Sequence, residues 1–149
     1  MISITCVYDK PSLDFHIKQE EFCAFLHEHL DRFTDDISAI SKAIDYAFSH
    51  EEGKGGFVLL AYDDAELVGG LVMNHTGMDE FVPENLLVYI AVNSIHRGKG
   101  IGSMLMQSAF EHSEGSIALH VEYDNPATRL YERMGFKSKY REMRRDQGS

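Results

Sequence analysis

Two kinds of apolar pattern alternate along this chain. Residues 86–92, LLVYIAV, form an unbroken apolar run rich in β-branched and aromatic side chains, too short for an ordinary helix and typical of a strand covered on both faces. Further strand patterns occupy residues 2–8 (ISITCVY), 57–62, 67–74 and 117–123 (IALHVEY). The polar turn Asp63-Asp64-Ala65-Glu66 predicts an antiparallel hairpin between the second and third of these. Gly69-Gly70 inside that hairpin predicts a bulge or a close backbone approach. Helical spacing of Leu13, Ile17, Phe22, Phe25, Leu26, His29 and Leu30 predicts one long helix capped by Ser12. Ile37, Ile40, Ile44, Ala47 and Phe48 predict a second, with Thr34-Asp35-Asp36 supplying caps and favourable charge at its start. Ile101, Met104, Leu105, Ser108 and Ala109 mark a third helix, and Asn125-Pro126 opens a fourth that Gly135 ends. Residues 136–143, where Lys137, Lys139 and Arg141 alternate with Phe136, Ser138 and Tyr140, predict a last strand; Gly148-Ser149 reads as a tail.

The resulting order, β-α-α-β-β-β-α-β-α-β, predicts an α/β (α+β) domain spanning residues 1–149, a mixed central sheet flanked by about four helices. A length of 149 residues, 44% hydrophobic content and a mean hydropathy of -0.26 are those of one ordinary globular domain. No apolar run approaches a membrane span and the N-terminus lacks a signal-peptide pattern, so a cytoplasmic protein without a membrane partner is expected. The formal charge of -10 argues against nucleic acid as a partner, because phosphate contacts need a basic face. Cys6 and Cys23 read as buried free thiols, and no His, Cys, Asp and Glu set has a zinc spacing, so no metal is expected.

Against this acidic background, Arg97-Gly98-Lys99-Gly100-Ile101-Gly102 stands out between the central strand and the third helix. Strand, glycine-rich turn and helix together expose unpaired backbone N–H groups at a helix N-terminus, where a phosphate or pyrophosphate is favoured and glycine lets it approach the main chain. The spacing fits neither the GxxxxGK[ST] loop nor the GxGxxG dinucleotide fingerprint. It resembles the R/Q-x-x-G-x-G/A signature of the GNAT superfamily of N-acetyltransferases, matched by Arg97, Gly100 and Gly102. The stretch NPATRLYERMGF (residues 125–136) is similar to a second motif of that family, N-x-x-A/S-x-x-L-Y-x-x-x-G-F, with Thr128 at the small-residue position and one residue fewer between it and Leu130.

The resemblance implies acetyl-CoA as co-substrate and transfer of its acetyl group to a primary amine by direct attack in a ternary complex. Such chemistry needs a neutral amine, N–H donors for the developing oxyanion and a proton for the departing thiolate. By resemblance, Arg97, Gly98, Lys99, Gly100, Ile101, Gly102 and Ser103 hold the pyrophosphate, while Ile90 and Val92 pair with the pantetheine arm. Asn125 contacts that arm and Tyr131 lies near the sulfur as general acid. The general base departs from the pattern: some members carry a glutamate on the fourth strand where this chain has Leu86, which leaves Glu84, Glu122 or a water chain. His75, His96 and His120 are further polar contributors. The loop acids Asp31, Asp35, Asp36, Asp79, Glu80 and Glu84 suit a cationic small-molecule or peptide amine. With little chain left for a seventh strand, a second copy in a homodimer could complete the sheet. The missing glutamate also leaves open a non-catalytic acyl-CoA sensor or interaction module of the same fold.

Overall fold

The computed structural model describes residues 1–148; Ser149, half of the proposed tail, lies outside them. Five strands, β1 (Ile2–Val7), β2 (Gly56–Asp63), β3 (Glu66–His75), β4 (Asn85–Val92) and β5 (Ile117–Leu119), form one sheet in sequential order. All neighbours are antiparallel except β4 and β5, which run parallel. Three helices, α1 (Lys10–His16), α2 (Gln19–His29) and α3 (Ile37–Ala47), cover one face; α4 (Ile101–Glu111) and α5 (Thr128–Arg133) cover the other. Along β2 the side chains alternate between these layers: Val58 and Leu60 pack with Phe22, Leu26, Ile40 and Ile44, while Phe57, Leu59 and Ala61 pack with Ile101, Leu105 and Tyr131. Both faces being buried explains why β2 and β3 read as continuous apolar runs; each fully buried Leu or Phe contributes about 1.5–3 kcal/mol.

The glycine pair in β3 serves both layers. A methyl at Gly69 would lie 3.0 Å from Leu105 Cδ1, and one at Gly70 only 2.5 Å from the buried Phe22 ring, so the two glycines let α4 and α2 approach the sheet from opposite sides. The bulge falls at the neighbouring Val68, since Ala61 pairs with Gly69 and Tyr62 with Leu67. A second bulge, in β4, has more consequence for the site. Val72 pairs with Tyr89 and Met73 with Leu87, leaving Val88 unpaired. Leu87 therefore faces α4, whereas Tyr89 faces α2 and α3.

Four expectations are corrected. The long first helix is two helices, broken where Ile17 and Lys18 are extended. Leu13 and Phe22 lie nine positions apart, roughly half a turn out of phase on one straight helix, and the break brings both into the same core. Asp9, not Ser12, caps α1, its Oδ1 accepting the Ser12 N–H at 2.8 Å. The fifth strand stops at Leu119 rather than Tyr123, and residues 137–148 are irregular and exposed rather than a sixth strand. These two corrections share a cause. Beyond Leu119 the chain turns away from β4, so no long edge is offered for a further ladder, and lysine and arginine on one side of the 136–143 pattern gain nothing from burial.

Candidate active site

The divergence of β4 from β5 creates the site. Their pairing ends at Leu87 and Leu119, and β4 continues through Val92 with its outer edge unpaired. A cavity of about 600 Å³ occupies the opening. Its floor is residues 86–92; one wall carries His29, Asp31, Phe33 and Asp35, and the other His120, Glu122, Asn125, Leu130 and Tyr131. Gly98 and residues 100–103 close one end. An exposed ion pair, Arg32 to Asp124 at 2.9 Å, joins the two walls, though solvent screens it at such exposure and it adds little to stability.

At the closed end Asn93 caps a single 3-10 turn, Ser94–His96, by accepting the Ile95 N–H at 3.0 Å. The chain then reverses through Gly98 (φ 82°) and Gly100 (φ 81°), left-handed positions that glycine adopts without strain. No side chain caps α4, so the N–H groups of Ile101, Gly102 and Ser103 have no helical acceptor at the end of the cavity. A methyl at Gly102 would sit 3.0 Å from Leu130 Cδ2; the bare glycine lets α5 close against the start of α4.

Both basic side chains of this turn are engaged by groups of the protein itself. Lys99 Nζ lies 3.3 Å from His96 Nδ1, whose Nε2 is 3.2 Å from both carboxylate oxygens of Glu66, and Lys99 does not line the cavity. Arg97 lines it but spends its guanidinium on protein acceptors: Nη2 donates to the His29 carbonyl at 2.6 Å, Nη1 to Asp31 Oδ2 at 3.0 Å and Nε to the Val92 carbonyl at 3.3 Å.

Tyr131 is 9% exposed, its ring packed edge-on against Phe136 at 6.1 Å. The helix end behind it is a Schellman closure: the Phe136 N–H bonds the Tyr131 carbonyl at 2.9 Å and the Gly135 N–H bonds Glu132 at 3.1 Å, with Gly135 at φ 98°. This is why the motif carries Gly-Phe after the helix. Burial, reinforced by the negative charge of Glu122, pushes the Tyr131 phenol up to about 12. At neutral pH it is a proton donor. Asn125 does not cap α5 directly; its Oδ1 accepts the Ala127 N–H at 2.9 Å and holds the turn that leads into the helix.

Glu122 and His120 line the cavity, and Glu84 does not. Glu84 sits where β4 and β5 are still paired, its Oε1 accepting the Ser116 N–H at 3.3 Å beside Gly115, and it borders a separate depression with His75 and His112. Of the loop acids, Asp31 and Asp35 line the cavity; Asp36, Asp79 and Glu80 lie outside it. Asp35 is diverted from helix capping: its Oδ2 accepts the Tyr89 hydroxyl at 2.6 Å, and burial together with that bond holds the Tyr89 phenol well above its ordinary value. This Tyr89–Asp35 contact was missed in the sequence because it depends on the Val88 bulge, which turns Tyr89 toward the α2–α3 loop. Among the described residues, no cluster of three or more His, Cys, Asp or Glu could hold a metal ion, and no helix is long and apolar enough to cross a membrane.

A sequence model of the acetyltransferase (GNAT) family matches residues 15–136, both motifs included. The chain belongs to that GNAT acetyltransferase family. It is accordingly an acyltransferase. Solved structures share the fold at low identity. The aminoglycoside N-acetyltransferase AAC(6')-Iy in complex with CoA superposes with a TM-score of 0.69 at 15% identity, covering 100% of this chain and 96% of that one. Arabidopsis thaliana Naa50, bound to the bisubstrate analogue CoA-Ac-MVNAL, gives 0.64 at 22% identity over 93% and 85%. A ribosomal-protein-alanine N-acetyltransferase from Brucella melitensis biovar Abortus 2308 gives 0.62 at 19% over 98% and 99%. No curated protein matches this chain in sequence.

Proposed function

We propose that this GNAT acetyltransferase transfers the acetyl group of acetyl-CoA to a primary amine of a small molecule or peptide by direct attack in a ternary complex. The observation that carries the reading is the single cavity joining three things: an uncapped helix N-terminus behind glycines, the open edge of β4, and a buried phenol. The backbone N–H groups of residues 98–103 are the cradle for the pyrophosphate, and the β4 edge around Ile90 and Val92 is the rail for the pantetheine arm. Asn125 braces the turn beside that arm. These residues fit the group, because a Cβ at Gly98 or Gly100 would meet nothing within 4 Å, which leaves the turn open, and one cavity is lined both by this turn and by Tyr131.

Acetyl-CoA supplies an activated acyl carbon with a thiolate leaving group. Tyr131 gives its proton to the departing sulfur; the desolvation that raises the phenol also raises the sulfur's proton affinity, which keeps donor and acceptor matched. Glu122, with His120 beside it on the same wall, takes the proton of the amine through water. The amine enters between Phe33, Asp35 and Tyr89, where Asp35 favours a cationic acceptor before deprotonation. Among the described residues β5 has no strand on its outer side, and a second copy of the chain is the partner proposed for that edge.

The test is CoA release from acetyl-CoA, read with a thiol reagent, across polyamines, amino sugars and peptide N-termini. Turnover with at least one class that depends on Tyr131 supports the reading. Acetyl-CoA binding with no turnover on any amine would favour a sensor module instead.

A further inference from the structure

The family resemblance gives Arg97 to the pyrophosphate, yet its guanidinium joins three protein segments: the end of β4 through the Val92 carbonyl, the last turn of α2 through the His29 carbonyl, and the following 3-10 turn, Asp31–Phe33, through the Asp31 carboxylate. Each contact has a reason. The His29 carbonyl lies at the C-terminal end of α2, where carbonyls lack helical donors and the helix dipole favours a cation. Asp31 has φ 56°, a left-handed backbone that a non-glycine residue rarely adopts, and its carboxylate at 3.0 Å gives that geometry a fixed partner. His29, 7% exposed, adds a second tie between the same segments by accepting the Ser94 N–H at its Nδ1, 3.2 Å away. A planar fork with several donors can serve three acceptors in different directions, and a lysine ammonium at that position could not reproduce the geometry.

We propose that Arg97 is a positioning residue for the acceptor side of the cleft: it fastens residues 30–36, which carry Phe33 and Asp35, to the cofactor loop, and leaves the pyrophosphate to backbone N–H groups. Which wall is called the acceptor side rests on the acetyl-transfer reading; the contacts themselves do not. One side chain thus sits at the junction of the two substrates' loops. Losing it loosens the acceptor wall without stripping the cradle.

The test compares wild type, Arg97→Ala, Arg97→Lys and Asp31→Asn. Acetyl-CoA affinity is measured by calorimetry, and exchange of the Phe33 and Thr34 amides, which bond the Leu30 and Asp31 carbonyls, by hydrogen–deuterium exchange. The inference predicts acetyl-CoA affinity within about threefold of wild type in every variant. It predicts loop amides exchanging about tenfold faster in Arg97→Ala, with no restoration by lysine. For the best amine of the panel above, the amine KM rises while the acetyl-CoA KM stays put. A loss of acetyl-CoA affinity of about tenfold or more in Arg97→Ala, or its recovery by Arg97→Lys, would place the charge on the pyrophosphate and overturn the inference. So would unchanged loop exchange. Failure of the wild type to bind acetyl-CoA would count against the proposed function, and the exchange arm would still decide the role of Arg97.

Discussion

Replacing Tyr131 by Phe isolates the chemistry assigned to one oxygen atom. The ring is buried against Phe136 and contributes to the core beneath α5, so truncation to alanine would cost about 3–5 kcal/mol and confound any kinetic result. The hydroxyl is different. Among the described residues only burial and the Glu122 charge act on it, with no hydrogen-bond partner, so its removal leaves no orphaned group and should change stability by less than about 0.5 kcal/mol. Loss of a positioned general acid lowers kcat by about 10²–10⁴, equivalent to roughly 2.7–5.5 kcal/mol of transition-state stabilisation. Thermal unfolding, calorimetric titration with acetyl-CoA and CoA-release kinetics on the same preparation separate these effects. The expected pattern is an unchanged Tm, acetyl-CoA affinity within about threefold and the loss in kcat. Because burial and the Glu122 charge push the phenol up to about 12, wild-type kcat should show no alkaline decline from this group below about pH 10. An unchanged rate in Tyr131→Phe would remove the residue from catalysis.

Further outcomes follow from packing and charge. Gly70→Ala brings a methyl 2.5 Å from the Phe22 ring, which has no room to retreat, and should destabilise by about 1–3 kcal/mol, read as a Tm lowered by several degrees; an unchanged Tm would mean that α2 shifts freely on the sheet. Leu13→Ala should cost about 2–5 kcal/mol in denaturant unfolding, a test of whether the short α1 belongs to the core. The buried Tyr89 and Tyr131 phenols hold their protons more tightly folded than unfolded. Their contribution is therefore complete below the ordinary tyrosine value of 10.0 and is lost as pH rises above it, through about 12 for Tyr131 and through a still higher pH for Tyr89. Tyr89→Phe should flatten that alkaline loss, measured as the pH dependence of urea unfolding midpoints, and an identical slope would contradict the assignment.

What the sequence revealed and what it hid divide along a physical line. Strands buried on both faces, the hairpin at residues 63–66 and the glycine turn before α4 are specified by short-range patterns, and the structure contains all of them. Gly135 before Phe136 likewise predicted the helix end, since a left-handed residue is needed there whatever surrounds it. Long-range choices were hidden. The break at Ile17 follows from bringing Leu13 and Phe22 into one core, and periodicity alone bridged it. The Val88 bulge, which turns Tyr89 toward Asp35, is visible only in the pairing of β3 with β4. The 136–143 alternation satisfies a strand rule, but a strand needs an edge, and β5 ends too soon to provide one. For the site, residues of both motifs line one cavity, while side-chain direction was not legible in them. Arg97 and Lys99 looked like a phosphate pair in an acidic chain, but Arg97 is held by His29 and Asp31, far away in sequence, and Lys99 meets His96, three residues back, which in turn contacts the distant Glu66.

The central claim is that the glycine turn and the β4–β5 cleft bind acetyl-CoA, and calorimetric titration of the purified protein with acetyl-CoA, with ATP and NAD as controls, tests it most directly. Saturable binding of acetyl-CoA at one site per chain, with neither nucleotide competing, is the predicted result. A folded protein that ignores acetyl-CoA, or binds ATP and NAD equally well, would contradict it.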